Sequence, residues 1–197
     1  MRLFSTLRAL APCLAAIYLT ACQQLPEPKG RDVRVLEVGR LEQVNPNDIV
    51  VAPLQYAADE ALDLPEQKVR AAFVSALIRR RYAPLALEYV DGGVVEASYR
   101  TGLLDEDAVC QVVVHAYDDR LWSARRALIV DLELRMIDPA DPIGSPLWAG
   151  RLEGRFDFAG GSIEHTSETA HYQASLEHIA QELLAAMPSR RTEPGFE

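Results

Sequence analysis

Residues 128–136 constrain the fold most. Leu128, Val130, Leu132, Leu134 and Met136 alternate with Ile129, Asp131, Glu133 and Arg135, the period of two that puts one face of a strand in the core and leaves the other wet. Residues 148–158 repeat the pattern, with Trp148, Leu152, Phe156 and Phe158 set against Arg151, Glu153, Arg155 and Asp157. Between them, Asp138 to Pro146 holds three prolines and a glycine and reads as a connection. Two half-buried strands so joined predict an antiparallel hairpin, with Asp131 and Glu133 on its outer side, either solvated or paired to Arg151 or Arg155.

The remaining elements are expected around that hairpin. Ile49 to Leu54 is a short β-branched run stopped at Pro53, as in a buried central strand. In the next segment Asp63 and Glu66 have the spacing of a capping box, Pro65 suits a first turn, and Val69, Ala72, Phe73, Ala76 and Leu77 share one helical face. Arg79, Arg80 and Arg81 suit the negative end of that helix, and Ala83-Pro84 stops it. Leu85 to Val90 reads as a second strand, Val94 to Tyr99 as a weak helix and Val109 to Tyr117 as a third strand. A last helix from Ser167 to Met187 carries Tyr172, Leu176, Ile179, Leu183 and Met187 as its stripe. The order predicts an α/β (α+β) sandwich: a mixed sheet of four to five strands including the hairpin, with two main helices packed on it.

The N-terminus has another character. Arg2 and Arg8 precede an apolar stretch from Ala9 to Leu19, which closes on Leu19-Thr20-Ala21-Cys22. The run is too short to span a bilayer and Pro12 interrupts it, so it reads as an export signal cleaved between Ala21 and Cys22. The pattern resembles that of bacterial lipoproteins. The resemblance implies that Cys22 is acylated and becomes the N-terminus, and that Gln23 directs the chain to the outer rather than the inner membrane. Residues 1–21 are then signal peptide, 22–47 lipidated cysteine and tether, 48–188 a single domain and 189–197 a polar tail.

Charge and cysteine usage narrow the function. Losing residues 1–21 removes two arginines and no acid, which moves the formal charge from -9 to -11. Such a surface repels nucleic-acid phosphate, so nucleic acid is not an expected partner. Cys13 leaves with the signal and Cys22 is taken by acyl chains, so Cys110 cannot form an intramolecular disulfide. Its apolar neighbours, Val109 and Val112 to Val114, mark it as a buried structural thiol.

No nucleophile elbow, phosphate loop or dinucleotide fingerprint occurs. His171, Ser175, His178 and Glu182 share a helical stripe, but the two histidines lie two turns apart, ~10 Å along the axis, too far for one ion. His165 precedes that helix. No metal, cofactor or catalytic residue is therefore assigned, and the chain is not expected to be an enzyme.

Several features together resemble a group of small periplasmic lipoproteins that includes the TolB N-terminal domain, the penicillin-binding-protein activator LpoB and the curli secretion lipoprotein CsgG. They are the lipobox, the Ile49–Leu54 strand, the long helix, Glu88-Tyr89-Val90-Asp91, the Asp107-Ala108-Val109 strand entry and a hairpin with Leu147-Trp148 in its second arm. The resemblance implies an α/β fold and action by binding other envelope proteins. The long extra amphipathic strands of a pore are missing. The expectation is a lipid-anchored, non-catalytic protein on the periplasmic face of the outer membrane. It would bind or help assemble another envelope protein, or a second copy of itself, with Tyr56, Tyr99 and Trp122 as candidate contacts. The alternatives are carriage of a small apolar or lipid ligand, marked by co-purifying lipid, and a metal-dependent hydrolase built on His165, His171 and His178, marked by bound zinc.

Overall fold

The computed structural model describes residues 32–57, 62–92, 99–159 and 167–191. Its strands are β1 (Asp32–Val38), β2 (Asp48–Val51), β3 (Gln55–Tyr56), β4 (Ala83–Pro84), β5 (Ala108–Asp118), β6 (Ala127–Ile137) and β7 (Trp148–Asp157). Its helices are α1 (Leu41–Val44), α2 (Glu66–Arg79), α3 (Leu87–Gly92), α4 (Trp122–Arg125) and α5 (Glu168–Leu184). The strands form one mixed sheet in the order β1-β7-β6-β5-β2-β4, with β3 also paired to β5. α2 and α5 pack on each other over one face.

The long hairpin is present as expected. β5, β6 and β7 run antiparallel, with Asp131 opposite Glu153 and Glu133 opposite Arg151. Leu128, Val130, Leu132, Leu134 and Met136 face the helices and are buried. β2 is not central but penultimate, between β5 and the edge strand β4 and parallel to both, yet Ile49, Val50 and Val51 are fully buried, as a β-branched run covered on both sides requires. The α2 stripe packs as its spacing predicts, Val69, Ala72, Phe73, Ala76 and Leu77 all being buried.

Three further expectations are corrected. The sheet has seven strands rather than four or five. The tether does not run to residue 47, because Asp32–Val38 is already a strand on β7. Its alternating Val33 and Val35 carry the strand signal, but charged neighbours mask it. Leu85 to Val90 is not a strand: the chain leaves β4 after Pro84 and α3 begins at Leu87, since β4 needs only two residues to close the edge beside β2.

The α2 start also differs in detail. Its cap is Pro65, without a side-chain cap, and the Glu66 carboxylate accepts from the Leu54 backbone N–H at 3.1 Å, tying the helix to the β2 exit. α5 is capped by Ser167, whose Oγ accepts from the Ala170 N–H at 3.1 Å. The expected export signal, Cys22, the expected tether up to residue 31, the segment 93–98 with most of the expected weak helix, and the tail from 192 onward lie outside the described residues.

One glycine makes room for the core's largest side chain. Trp148 is 1% exposed, and a Cβ at Gly150, two residues along the same face of β7, would sit 2.4 Å from the indole Cη2. The indole fills the space a side chain there would take.

Candidate functional site

The aromatic residues singled out in the sequence do not form one patch. Trp122 is buried at 7% exposure, its ring edge-on to Tyr172 at 4.8 Å and to His171 at 5.3 Å, with the Arg126 guanidinium over it at 5.4 Å. It anchors α4 against α5 and does not face outward. Tyr56 is half-buried against the core from β3, where burial and the nearby Glu66 carboxylate push its phenol up. Tyr99 packs on a second, small cluster of Ala52, Val109 and Ile137. Its hydroxyl donates to Glu106, and its phenol too is raised, by burial first and then by that carboxylate.

Glu106 organises the loop before β5. It is 5% exposed, and its carboxylate also accepts from Gly102 N–H at 2.6 Å and Leu104 N–H at 2.9 Å. Burial opposes its charge, but these three donors together hold its carboxyl below the usual value.

The starts of α2 and α5 converge on an open cleft of about 380 Å³ lined by Leu64, Pro65, Lys68, Asp119, Thr169 and Tyr172, among others. In its wall the Tyr117 and Tyr172 hydroxyls are hydrogen-bonded and Tyr172 donates to Asp119 at 3.1 Å. Burial drives Tyr172 up to about 12, so this chain stays neutral over the physiological range. Lys68 stands over the Tyr172 ring at 5.5 Å. Mixed charge around an aromatic floor suits recognition of a polar surface.

The helical histidine stripe separates into local contacts. His178 lies 3.4 Å from Glu182, Ser175 donates to the His171 carbonyl at 2.9 Å, and His178 is edge-on to Phe158. Among the described residues no three metal-ligating side chains are grouped, and His165 lies outside them. Cys110 is completely buried and its thiol is pushed up to about 12 by desolvation, which suits an inert structural role.

The sheet face away from the helices is a network of ion pairs. Arg151 holds Asp131 through two bonds of 2.7 and 2.6 Å, Arg135 and His115 hold Glu133 at 2.6 and 3.0 Å, and Arg34 meets Glu153 at 3.5 Å. The cross-strand pairing of Asp131 with Arg151 was legible in the alternation.

The β1 edge was not. β1 ends the sheet, and among the described residues no strand pairs its outer side. Val35, Leu36 and Val38 are 42%, 50% and 78% exposed. At the end of β1, Val38 borders a groove of about 380 Å³ lined also by Leu41, Leu147, Trp148, Pro188, Glu42 and Arg191. The signal was the run Val33 to Val38 itself, whose apolar content exceeds what one core face needs.

No protein-family profile matches the chain, and no curated protein matches it. Among solved structures it is similar to the PelC dodecamer from Paraburkholderia phytofirmans, with a TM-score of 0.50 and 11% identity over 82% of this chain and 100% of that one. It is also similar to a lipoprotein from Neisseria meningitidis (TM-score 0.43, 18% identity, 72% of this chain and 100% of that one). A DUF4136 family protein from Bacteroides thetaiotaomicron gives a TM-score of 0.42 at 10% identity, over 79% of this chain and 95% of that one. At 11% identity the likeness to the PelC dodecamer is one of fold.

Proposed function

We propose that this chain is a lipoprotein anchored through Cys22 to the periplasmic face of the outer membrane, where it holds another envelope protein without catalysing a reaction. The observation that carries the reading is the Leu19-Thr20-Ala21-Cys22 sequence placed just ahead of a folded α/β unit. Among the described residues no helix is long and apolar enough to cross a membrane, so the anchor would be the lipid. Each buried methylene of an acyl chain contributes ~0.8 kcal/mol, and more than one chain gives stable attachment.

The short spacer sets the working distance. Nine residues separate Cys22 from Asp32, and fully extended they reach at most ~30 Å. A bound partner is thereby confined close to the membrane, which raises its effective concentration there. The cleft between the α2 and α5 starts is the surface we assign to that partner, through Lys68, Asp119 and Tyr172.

The reading is tested by metabolic labelling with palmitate and in-cell crosslinking of the full chain beside Cys22→Ser. Label and membrane attachment should be lost in the variant, together with one reproducible crosslinked envelope protein. A chain that stays unlabelled, or one that is anchored yet crosslinks to nothing, defeats it. A second reading, carriage of an apolar ligand, is favoured by the groove lined by Leu41, Leu147 and Trp148, whose volume is in the range of small-ligand sites. Lipid co-purifying with the full chain and lost in Leu41→Trp would support it.

A further inference from the structure

The edge at β1 carries a pattern that fits its own copy. Most natural edge strands are blunted by shortness, proline, charge or a bulge. The other end of this sheet follows that rule, because β4 has two residues and one is Pro84. β1 follows it only through Arg34, Glu37 and a bulge: it runs for seven residues without proline or lysine and exposes Val35, Leu36 and Val38.

Its bulge determines what can pair with it. Val33, Val35 and Val38 stand opposite Leu152, Gly150 and Trp148, on the helix side, whereas Arg34 and Glu37 stand opposite Arg151 and Ala149, on the charged side. The register shifts between Val35 and Glu37, so Leu36 is the extra residue. In a regular strand, residues 34 and 37 would point to opposite faces and could not meet across a twofold axis. With the bulge, both lie on the same face.

We propose that β1 pairs antiparallel with β1 of a second copy about a twofold axis between Val35 and Leu36. Arg34 then stands opposite Glu37 of the other copy, Val33 opposite Val38, and Val35 opposite Leu36. The Arg34–Glu37 and Val33–Val38 pairs each share a face, both charge pairs are of opposite sign, and the exposed aliphatic side chains lie together at the contact. The contact is isologous, so it closes at two copies and leaves β4 as the outer edge on both sides. A second carboxylate reaches Arg34, which already lies beside Glu153 in an exposed pair, 54% and 47% accessible. The pairing also seats each Val38, at 78% exposure the most exposed side chain of β1, against the Val33 of its copy.

The test uses two differently tagged full chains expressed together, one carrying Arg34→Cys and the other Glu37→Cys, followed by mild oxidation in isolated membranes. Facing residues of an antiparallel pair lie within disulfide reach, and the native thiol at Cys110 is buried. A disulfide-linked dimer bearing both tags is expected, with none from either variant alone, because like positions lie on different strands and are also offset along them by the two-residue span from Arg151 to Ala149, ~7 Å. In purified full-length protein in detergent, Arg34→Glu or Glu37→Arg should weaken the dimer roughly tenfold by sedimentation, and the double exchange should restore it. The proposal is overturned by the absence of mixed dimer, by equal crosslinking of Arg34→Cys to itself, by capture of an unrelated protein at these cysteines, or by a double exchange that fails to rescue.

Discussion

Arg70 is the buried cation that ties α2 to the sheet, and removing its partner should cost more than removing Arg70 itself. It is 2% exposed, donates from Nη1 to Asp91 Oδ1 at 2.6 Å and from Nη2 to the Val51 carbonyl at 2.9 Å, and thereby links α2, the end of β2 and α3. Asp91→Ala strands a guanidinium away from water. Breaking a buried pair in this way costs ~3–5 kcal/mol, and the 35% exposure of Asp91, which lets water reach the site, reduces this to about 2–3 kcal/mol. Arg70→Met replaces the stem with apolar volume, lets Asp91 turn to solvent and orphans one carbonyl. It should cost about 1–2 kcal/mol. For a domain of this size that is a fall in Tm of roughly 5–10 °C for Asp91→Ala and about half that for Arg70→Met. The double variant should match Arg70→Met, giving a large coupling energy in urea titrations followed by circular dichroism. Should Asp91→Ala prove no worse than Arg70→Met, the view of Arg70 as a charge stabilised by its partner is wrong.

Three further outcomes follow from other sites. In Gly150→Ala the new Cβ displaces the Trp148 ring in a closed core, so stability should fall by about 1–3 kcal/mol with an altered near-ultraviolet tryptophan signal, and an unchanged spectrum would contradict the packing. Glu106 has a lowered pKa, so its contribution is fully present above the ordinary carboxylate value and is lost as pH falls through its own lower one. The stability gap between the native chain and Glu106→Gln should therefore be widest above about pH 4.5 and close on acidification, and a gap independent of pH would refute the assignment. Cys110, buried and with its thiol raised to about 12, should react with a thiol reagent only after urea unfolds the chain; prompt native labelling would show that the strand opens.

What could be read in advance followed from periodicity. β6 and β7 were evident because each buries one face and wets the other, and the same alternation put Asp131 on one face with Arg151, which meets it diagonally. α2 and α5 were evident because their apolar stripes run for several turns. β1 and α3 were not. The charges of Arg34 and Glu37 belong to a face that needs no burial, and Leu85 to Val90 is apolar enough, through Leu85, Leu87, Tyr89 and Val90, to mimic a strand over so short a span. Trp122 was read as a contact because tryptophan favours interfaces, yet nothing local distinguishes that from a ring held between α4, α5 and Phe158.

By itself the sequence determined the class of fold, the central hairpin, the two long helices and the export pattern ending at Cys22, since each depends on residues close together in the chain. The tertiary structure alone decided that Arg70 is buried between Asp91 and the Val51 carbonyl, that Glu106 gathers three donors, and that β1 lies at the open end of the sheet with its bulge at Leu36. Those facts depend on which strand ends beside which. Strand order is fixed by the summed burial of the whole core, and no local pattern encodes it.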